Sequence, residues 1–595
     1  MKKVIFMLTT IFLLAACNEG KKTDKETIAD DIDYTTFEYK VDRFADIEIL
    51  RYPVSGFNSL SLQQKELIYY LSQAALEGRD ILWDQHNRYN LTIRRVCEGL
   101  YENYMGDKST DDWKNFETYL KQIWMANGIH HHYSEDKIIP KFSQEYFTTI
   151  VKSVDPGRMP FRDGMAADET LNEIIPVMFD PSFMPKRMSQ AQGSDIVQTS
   201  AVNFYEGVTQ KEVENFYNSM KDPNDDTPVS YGLNSKVTKE DGVVVEKVWK
   251  LGGMYDKAIE RIIGWLEKAS AIAENEQQKD IIDTLIEFYK SGSLETFDEY
   301  SVKWVKDTDS RVDFINGFIE TYTDPMGLKG SWESIVNFKS IEASKRTSII
   351  SDNAQWFEDN SPIDDKFKKE EVKGVSAKVI TVAILGGDTY PATPIGINLP
   401  NADWIRRDHG SKSVTIDNIT FAYGKASEGD GFKEEFMWSD EEVELSKKYG
   451  ALTDNLHTDL HECLGHGSGK LLPGVSTDVL QAYASPLEET RADLFALYYL
   501  ADPKLVELGL LPDNEAYKAE YYSYIMNGAM TQLTRIQPGK DIEQAHMRNR
   551  ATISNWVIEK GKEDNVVAFE KRDDKTYIVV NDYEKLRSLF GELLS

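Results

Sequence analysis

The chain has 595 residues, 41% hydrophobic and 28% charged, an ordinary globular balance that allows a large core and roughly two to four domains. Its formal charge of −31 argues against nucleic acid or an anionic membrane surface as the principal partner, because either would be repelled. Simple solubility accounts for that charge; so does an acidic cleft that attracts metal ions and peptide amino groups.

At the N-terminus, Lys2 and Lys3 precede an apolar run from Val4 to Leu14, too short for a permanent membrane helix, so residues 1–16 read as an export signal. The run ends Leu14-Ala15-Ala16-Cys17, which resembles the lipobox of bacterial lipoproteins, where cleavage leaves Cys17 as a lipid-carrying N-terminus. An exported, membrane-anchored protein is expected, with residues 17–35 as a tether; a plain signal peptide with an incidental cysteine is the alternative. Besides Cys17 the mature chain has only Cys97 and Cys463, so there is no disulfide framework, and Cys463 reads as a small buried hydrophobe.

From Phe37 to about Lys306 the pattern is mostly helical, as in Tyr255 to Ile263, with loops at Pro156-Gly157 and Pro223-Asn224. Between Val372 and Pro400 it changes to short β-branched runs, Val379 to Ile384 and Ile395 to Ile397, the mark of a small sheet. Helical spacing returns from Asp440, after a capping signal at Ser439, to about Lys560, and Thr576 to Val580 reads as one strand before a final helix. The predicted fold is α+β and two-lobed: a mixed lobe over 36–340 that also takes strands from about 372–400 as a small sheet or barrel, a mainly helical lobe over 341–560, and a C-terminal strand and helix over 561–595. There is no internal repeat, low-complexity tract or second membrane segment.

The densest chemistry is His457-Thr458-Asp459-Leu460-His461-Glu462-Cys463-Leu464-Gly465-His466, on a helix marked by Leu452, Leu456, Leu460 and Leu464. In the usual zinc-protease helix the two histidines are four apart and only ~40° apart around the axis; here His461 and His466 are five apart, ~140° on an ideal helix, too far round to share a tetrahedral ion. A π-type bulge must absorb the extra residue, and Gly465 makes that easier. The alternative pair is His457 and His461, four apart, with His466 as a solvated helix end. A third ligand is offered by Ser485-Pro486-Leu487-Glu488-Glu489-Thr490-Arg491-Ala492-Asp493, where a capping box would occupy Glu488 and leave Glu489 and Asp493 one turn apart on a shared face.

Both segments resemble the dipeptidyl peptidase III family, whose signatures are a His-Glu-x-x-Gly-His helix followed by a Glu-Glu-x-Arg-x-Asp/Glu helix. The resemblance implies one zinc ion per chain on His461, His466 and Glu489, with Glu462 as general base and Glu488 and Asp493 supporting the histidines. It runs through most of the chain after Gly317 and is diffuse before it, where Asn127-Gly128 and Tyr133 fit a cleft wall. Gly317 to Pro325 is similar to the family segment in which a glutamate, here Glu320, receives the substrate's ammonium group and a tyrosine, here Tyr322, supports the oxyanion. Glu333 resembles a second acid for the ammonium, Gly396 to Asn401 matches the substrate-binding asparagine pair as Asn398 and Asn401, and Gln544 to Met547 matches the transition-state histidine as His546. Without the resemblance each has a plainer reading, as solvated acid, core aromatic, turn asparagine or satisfied helix histidine. Family members commonly continue beyond the position of Ser595 with a tail that places a basic group near the substrate's C-terminal end, and no counterpart is placed in this sequence.

Two look-alikes are set aside. Gly465 to Lys470 has three residues rather than four between its outer glycines, and Leu471 where a phosphate loop needs Ser or Thr; His130-His131-His132 reads as a polar loop, since successive residues share one ion with difficulty. The function implied is a zinc exopeptidase that releases dipeptides from short peptides in a closing cleft. The competing classes are another zinc amino- or endopeptidase and a non-catalytic zinc- or peptide-binding lipoprotein; Glu462, which binding alone does not require, argues against the last.

Overall fold

The computed structural model describes residues 36–595 except 162–164, 192, 341–343, 373–374, 392, 428–430, 476–478, 481–482, 537, 540 and 543. The export signal, the tether and Cys17 lie outside the described residues, among which no helix is long and apolar enough to cross a membrane.

The central sheet has five strands in the order Val312–Phe318, Trp332–Lys339, Val375–Gly387, Ser411–Ile416, Gly396–Leu399. All neighbours are antiparallel except Val375–Gly387 with Ser411–Ile416. The sheet is open, which removes the barrel alternative. Its first two strands lie between the helical pattern that ends near Lys306 and the β-branched runs that begin near Val372, unmarked in the sequence because they are buried along nearly their whole length and do not alternate. Polar residues further disguise them and are satisfied internally: Tyr289 donates to Asn316 Oδ1 at 2.5 Å, and Ser334 to the Ile315 carbonyl at 2.6 Å.

Helices Leu62–Glu77, Asp256–Ser270 and Glu276–Ser291 pack on this sheet in one large core, which includes Val414 and Ile416. A second core joins Ile350 and Phe357 to the helices Asp440–Leu460, Ala484–Leu500, Tyr517–Ala529 and Ala545–Lys560 and to the C-terminal segment. A third, all-helical core spans Trp83 to Met178. Among the described residues three hairpins turn on residues with positive φ, the first joining Lys40–Phe44 to Ile47–Leu50 at Ala45. Ser235–Glu240 pairs with Val243–Val248 around Asp241-Gly242, and Val567–Arg572 with Lys575–Val580 around Asp573-Asp574, so the single strand expected near the C-terminus is half of a hairpin. Cys97 and Cys463 are both buried and unpaired.

The two main cores meet where Ser411–Ile416 lies against the end of the Asp440–Leu460 helix. Ser413 donates to the Glu462 carbonyl at 2.9 Å and Thr415 to Asp459 Oδ1 at 2.8 Å, while Arg346 pairs with the other Asp459 oxygen. Between the lobes lies a cleft of about 2900 Å³.

Candidate active site

The Asp440–Leu460 helix starts at Ser439, whose hydroxyl accepts from the Glu441 amide, and runs into a π turn over His461–Gly465. The His466 amide donates to the His461 carbonyl at 3.0 Å, five residues back, and the two rings stand 4.7 Å apart at 88°. Gly465 has a packing role as well: a Cβ there would come within 2.7 Å of the Ala492 backbone. That close crossing brings Glu489 to the histidines.

His461 Nε2 lies 3.3 Å and His466 Nε2 3.8 Å from Glu489 Oε2, and Glu462 Oε1 lies 4.0 Å from His461 Nε2. Ligands ~2.05 Å from a tetrahedral ion stand ~3.3 Å apart, so the His461–Glu489 spacing suits a shared ion and the His466–Glu489 spacing is somewhat wider; His461, Glu462 and His466 also offer donor atoms within 4.8 Å of one another. Glu489 Oε2 and Glu462 Oε2 are buried without a hydrogen-bond partner among the described residues, a costly state unless a cation or reacting group meets them. Burial pushes Glu489 up, but His546, His461 and His466 outweigh it and hold it well below the carboxylate range. Burial raises Glu462 above its ordinary value, which suits a proton acceptor.

The outer nitrogens are fixed by carboxylates. Asp493 Oδ1 lies 2.6 Å from His461 Nδ1, and its Oδ2 accepts from the Tyr524 hydroxyl at 2.7 Å. Glu488 Oε1 lies 2.9 Å from His466 Nδ1, and Arg491 grips Glu488 with N–H groups at 2.6 and 2.9 Å. The helix begins at Ala484 with no side-chain cap, so Glu488 belongs to this support and not to a capping box. His457, His461 and Asp493 also offer donor atoms within 4.8 Å of one another. Both ring nitrogens of His457 are engaged, however, Nδ1 at 2.9 Å from Glu520 and Nε2 at 3.3 Å from Asp493, which leaves it none for a metal.

On the facing lobe, Gly396–Leu399 is the sheet's edge strand, paired on one side only, and a Cβ at Gly396 would strike the Glu462 carboxylate. Asn398 Nδ2 donates to Ser413 at 2.5 Å, leaving its Oδ1 buried without a partner among the described residues. Asn401 donates to Glu320 Oε2 at 3.1 Å and accepts from Arg406 at 3.2 Å. Burial pushes Glu320 up to about 7; burial, with Glu320 and Asp388 nearby, pushes Glu333 up as well. Tyr322 projects into the cleft, 6.5 Å between ring centroids from His546, and the Glu320 carboxylate beside it holds its phenol well above the usual value, as a donor. His546 Nδ1 lies 3.3 Å from Glu489 Oε2. The cleft thus gathers every peptide- or metal-directed residue singled out in the sequence.

Other expectations change. Tyr133 lines the cleft, but Asn127 is a left-handed helix cap whose amide donates to the Tyr390 carbonyl at 2.5 Å. The three-histidine loop is packed rather than solvated, with His130 buried and bonded at 2.9 Å to the Met184 carbonyl. The phosphate-loop look-alike already holds a carboxylate, since the Gly469 amide donates to Glu358 at 3.0 Å. Tyr524, Glu520 and Ser413 escaped the sequence reading because their partners are remote in the chain, and Arg406 because its bonds run back to Asn398, Pro400 and Asn401; Arg491 carried a signal, three residues after Glu488 on one helix face.

Two imidazoles and a carboxylate converging in an interlobe cleft, with an unpartnered glutamate beside them, define a metallopeptidase site. The chain belongs to peptidase family M49, whose model matches residues 194–480 and 474–593. Dipeptidyl peptidase 3 of Dictyostelium discoideum is 25% identical over 603 residues, covering 90% of this chain and 82% of that protein. The same fold occurs in DPP III from Caldithrix abyssi, with 20% identity, TM-score 0.62 and coverage of 91% of this chain and 87% of that one. It also occurs in dipeptidyl-peptidase III from Corallococcus sp. strain EGB, with 19% identity, TM-score 0.64 and coverage of 90% and 85%. The protein is a metallopeptidase of the dipeptidyl peptidase III type.

Proposed function

We propose that this peptidase is zinc-dependent and releases dipeptides from the N-terminus of short oligopeptides. The observation that carries the reading is the convergence of His461, His466, Glu489 and Glu462 beside the half-paired edge strand Gly396–Leu399. The two Nε2 atoms and Glu489 would hold one ion per chain, and zinc when bound supplies Lewis acidity that polarises the scissile carbonyl and makes water nucleophilic near neutral pH. Glu462 takes the proton of the attacking water and returns it to the leaving amine. Tyr322 and His546 donate to the oxyanion.

The open side of the edge strand suits an extended peptide, which lends its own backbone groups to the sheet. Glu320, with Glu333, Asn398 and Asn401, stops the free amino group through charge-assisted hydrogen bonds. A fixed stop upstream of a fixed base selects the second peptide bond. Closure of the cleft then favours short, flexible peptides over folded proteins.

Mass spectrometry of products from an unblocked pentapeptide and its N-acetylated twin tests the reading. The expected result is a dipeptide as first product and loss of most turnover on acetylation; single amino acids, internal fragments, or equal cleavage of both peptides would replace it with an aminopeptidase or endopeptidase. We further propose that the chain is an exported lipoprotein anchored through Cys17, which intact-mass measurement of membrane-extracted protein tests: an unmodified N-terminus elsewhere overturns it.

A further inference from the structure

The wall that would receive the amino group carries a third acid. Asp388 follows the strand Val375–Gly387, its amide donates to the Trp332 carbonyl at 3.1 Å, and Gly387 pairs in register with Glu333. Asp388, Glu333 and Glu320 therefore share one side of the cleft. Glu333 is 5% exposed. Three carboxylates in one buried pocket cannot all ionise, so the charge settles where a cation backs it.

Arg406 opposes the rise at Glu320 without overcoming burial, whereas Asp388 is backed from the interior. His86 Nε2 lies 3.6 Å from its Oδ1 and 3.2 Å from Arg187 Nη1, while His86 Nδ1 sits 3.1 Å from the Asn127 carbonyl. Arg187 in turn grips Glu135 through N–H groups at 2.7 and 2.5 Å. His86, Arg187 and Glu135 are 1%, 4% and 6% exposed, so the chain of contacts is built into the interior. Burial and Arg187 hold His86 below its ordinary value, so Arg187 is the cation behind Asp388; Glu135 offsets it in the net count, and Asp388 faces the cleft as net negative charge. Burial opposes that charge, but His86, Arg187 and Ser331 outweigh it and hold the Asp388 carboxyl below its ordinary value, whereas Glu320 and Glu333 are both raised.

We propose that Asp388 is a third acidic anchor for the peptide's N-terminal ammonium, and that the buried His86–Arg187–Glu135 chain positions it; the proposal rests on the dipeptide-releasing reading above. Asp388 draws the ammonium in, and the neighbouring glutamates and Asn398 complete its hydrogen bonds.

The test is kcat and KM of the metal-loaded protein on the unblocked pentapeptide and its acetylated twin. Asp388→Asn is expected to raise KM for the unblocked peptide about tenfold with kcat within about threefold, and to cut the preference for the unblocked peptide by a similar factor. Zinc content should not change. Arg187→Met, which removes the buried guanidinium beside His86, should shift KM the same way but less, and Arg187→Lys should recover part of it. If Arg187→Met does not fold, the near-isosteric His86→Gln takes its place with the same readout. An unchanged KM in Asp388→Asn, or equal losses on both peptides, overturns the proposal. If the unmodified protein already cleaves both peptides equally, the dipeptidyl reading fails and takes this one with it; if it discriminates and Asp388→Asn discriminates as well, this proposal alone fails.

Discussion

Glu462 and Glu489 are the same residue type, both buried, both with an oxygen that has no hydrogen-bond partner among the described residues, yet the proposed mechanism gives them different work. Glu489 lies within about one tetrahedral edge of both imidazoles, while Glu462 stands 4.0 Å from His461 and against the edge strand. Glu462→Ala is therefore expected to keep bound zinc, read by elemental analysis, and lose at least ~10³ in kcat, whereas His461→Ala and Glu489→Ala should release the metal. Zinc loss from Glu462→Ala would mean that the base and the ligand have been exchanged. The metal-directed cluster was legible in the sequence because three histidines and an acid pair at helical spacing are chemically constrained, while the choice of His461, His466 and Glu489 within it came from the resemblance. Glu320, Glu333 and Asn398 were not legible from chemistry alone: on the page a single acid or asparagine is a surface residue, and only the resemblance marked them. Asp388 had no mark at all, since its meaning depends on His86 and Arg187 hundreds of positions away in the chain.

Among the elements, the π turn is the one that the sequence forced before any coordinates, because a five-residue histidine spacing has no other way to meet one ion on a helix. Its reason for glycine was only half visible. Positive φ plays no part; the constraint is the Ala492 backbone, 2.7 Å from where a Cβ would stand. Gly465→Ala is thus expected to push the two helices apart, to cost about 1–3 kcal/mol of stability, and to weaken zinc retention, as seen in a lowered Tm and faster loss of metal to a chelator. Unchanged metal retention would show that His466 does not depend on this crossing. The strands Val312–Phe318 and Trp332–Lys339 escaped notice for the opposite reason: they are buried along nearly their whole length, so the alternation that identifies a half-buried strand is erased. The Asp241-Gly242 hairpin, by contrast, did carry its turn signal, hidden in surroundings read as helical.

At the scale of the whole molecule the ligands lie in the helical lobe and the peptide-directed residues in the sheet lobe, so a substrate must bridge the two. Spin labels at Asp225 and Leu472, on facing lips of the cleft, are expected to draw together when Glu462→Ala is given an unblocked peptide that it cannot cut. An unchanged distance would mean that the lobes do not close. The seam where Ser413 and Thr415 hold the end of the histidine helix gives such a motion its particular character. In any rotation, displacement grows with distance from the axis, and an axis held by the bonds at this seam would lie beside the chemistry. The mouth would then travel far while Glu462 scarcely moved against Gly396. A lever with its fulcrum at the point of work can open to exchange product for substrate and leave its cutting edge aligned between one turnover and the next.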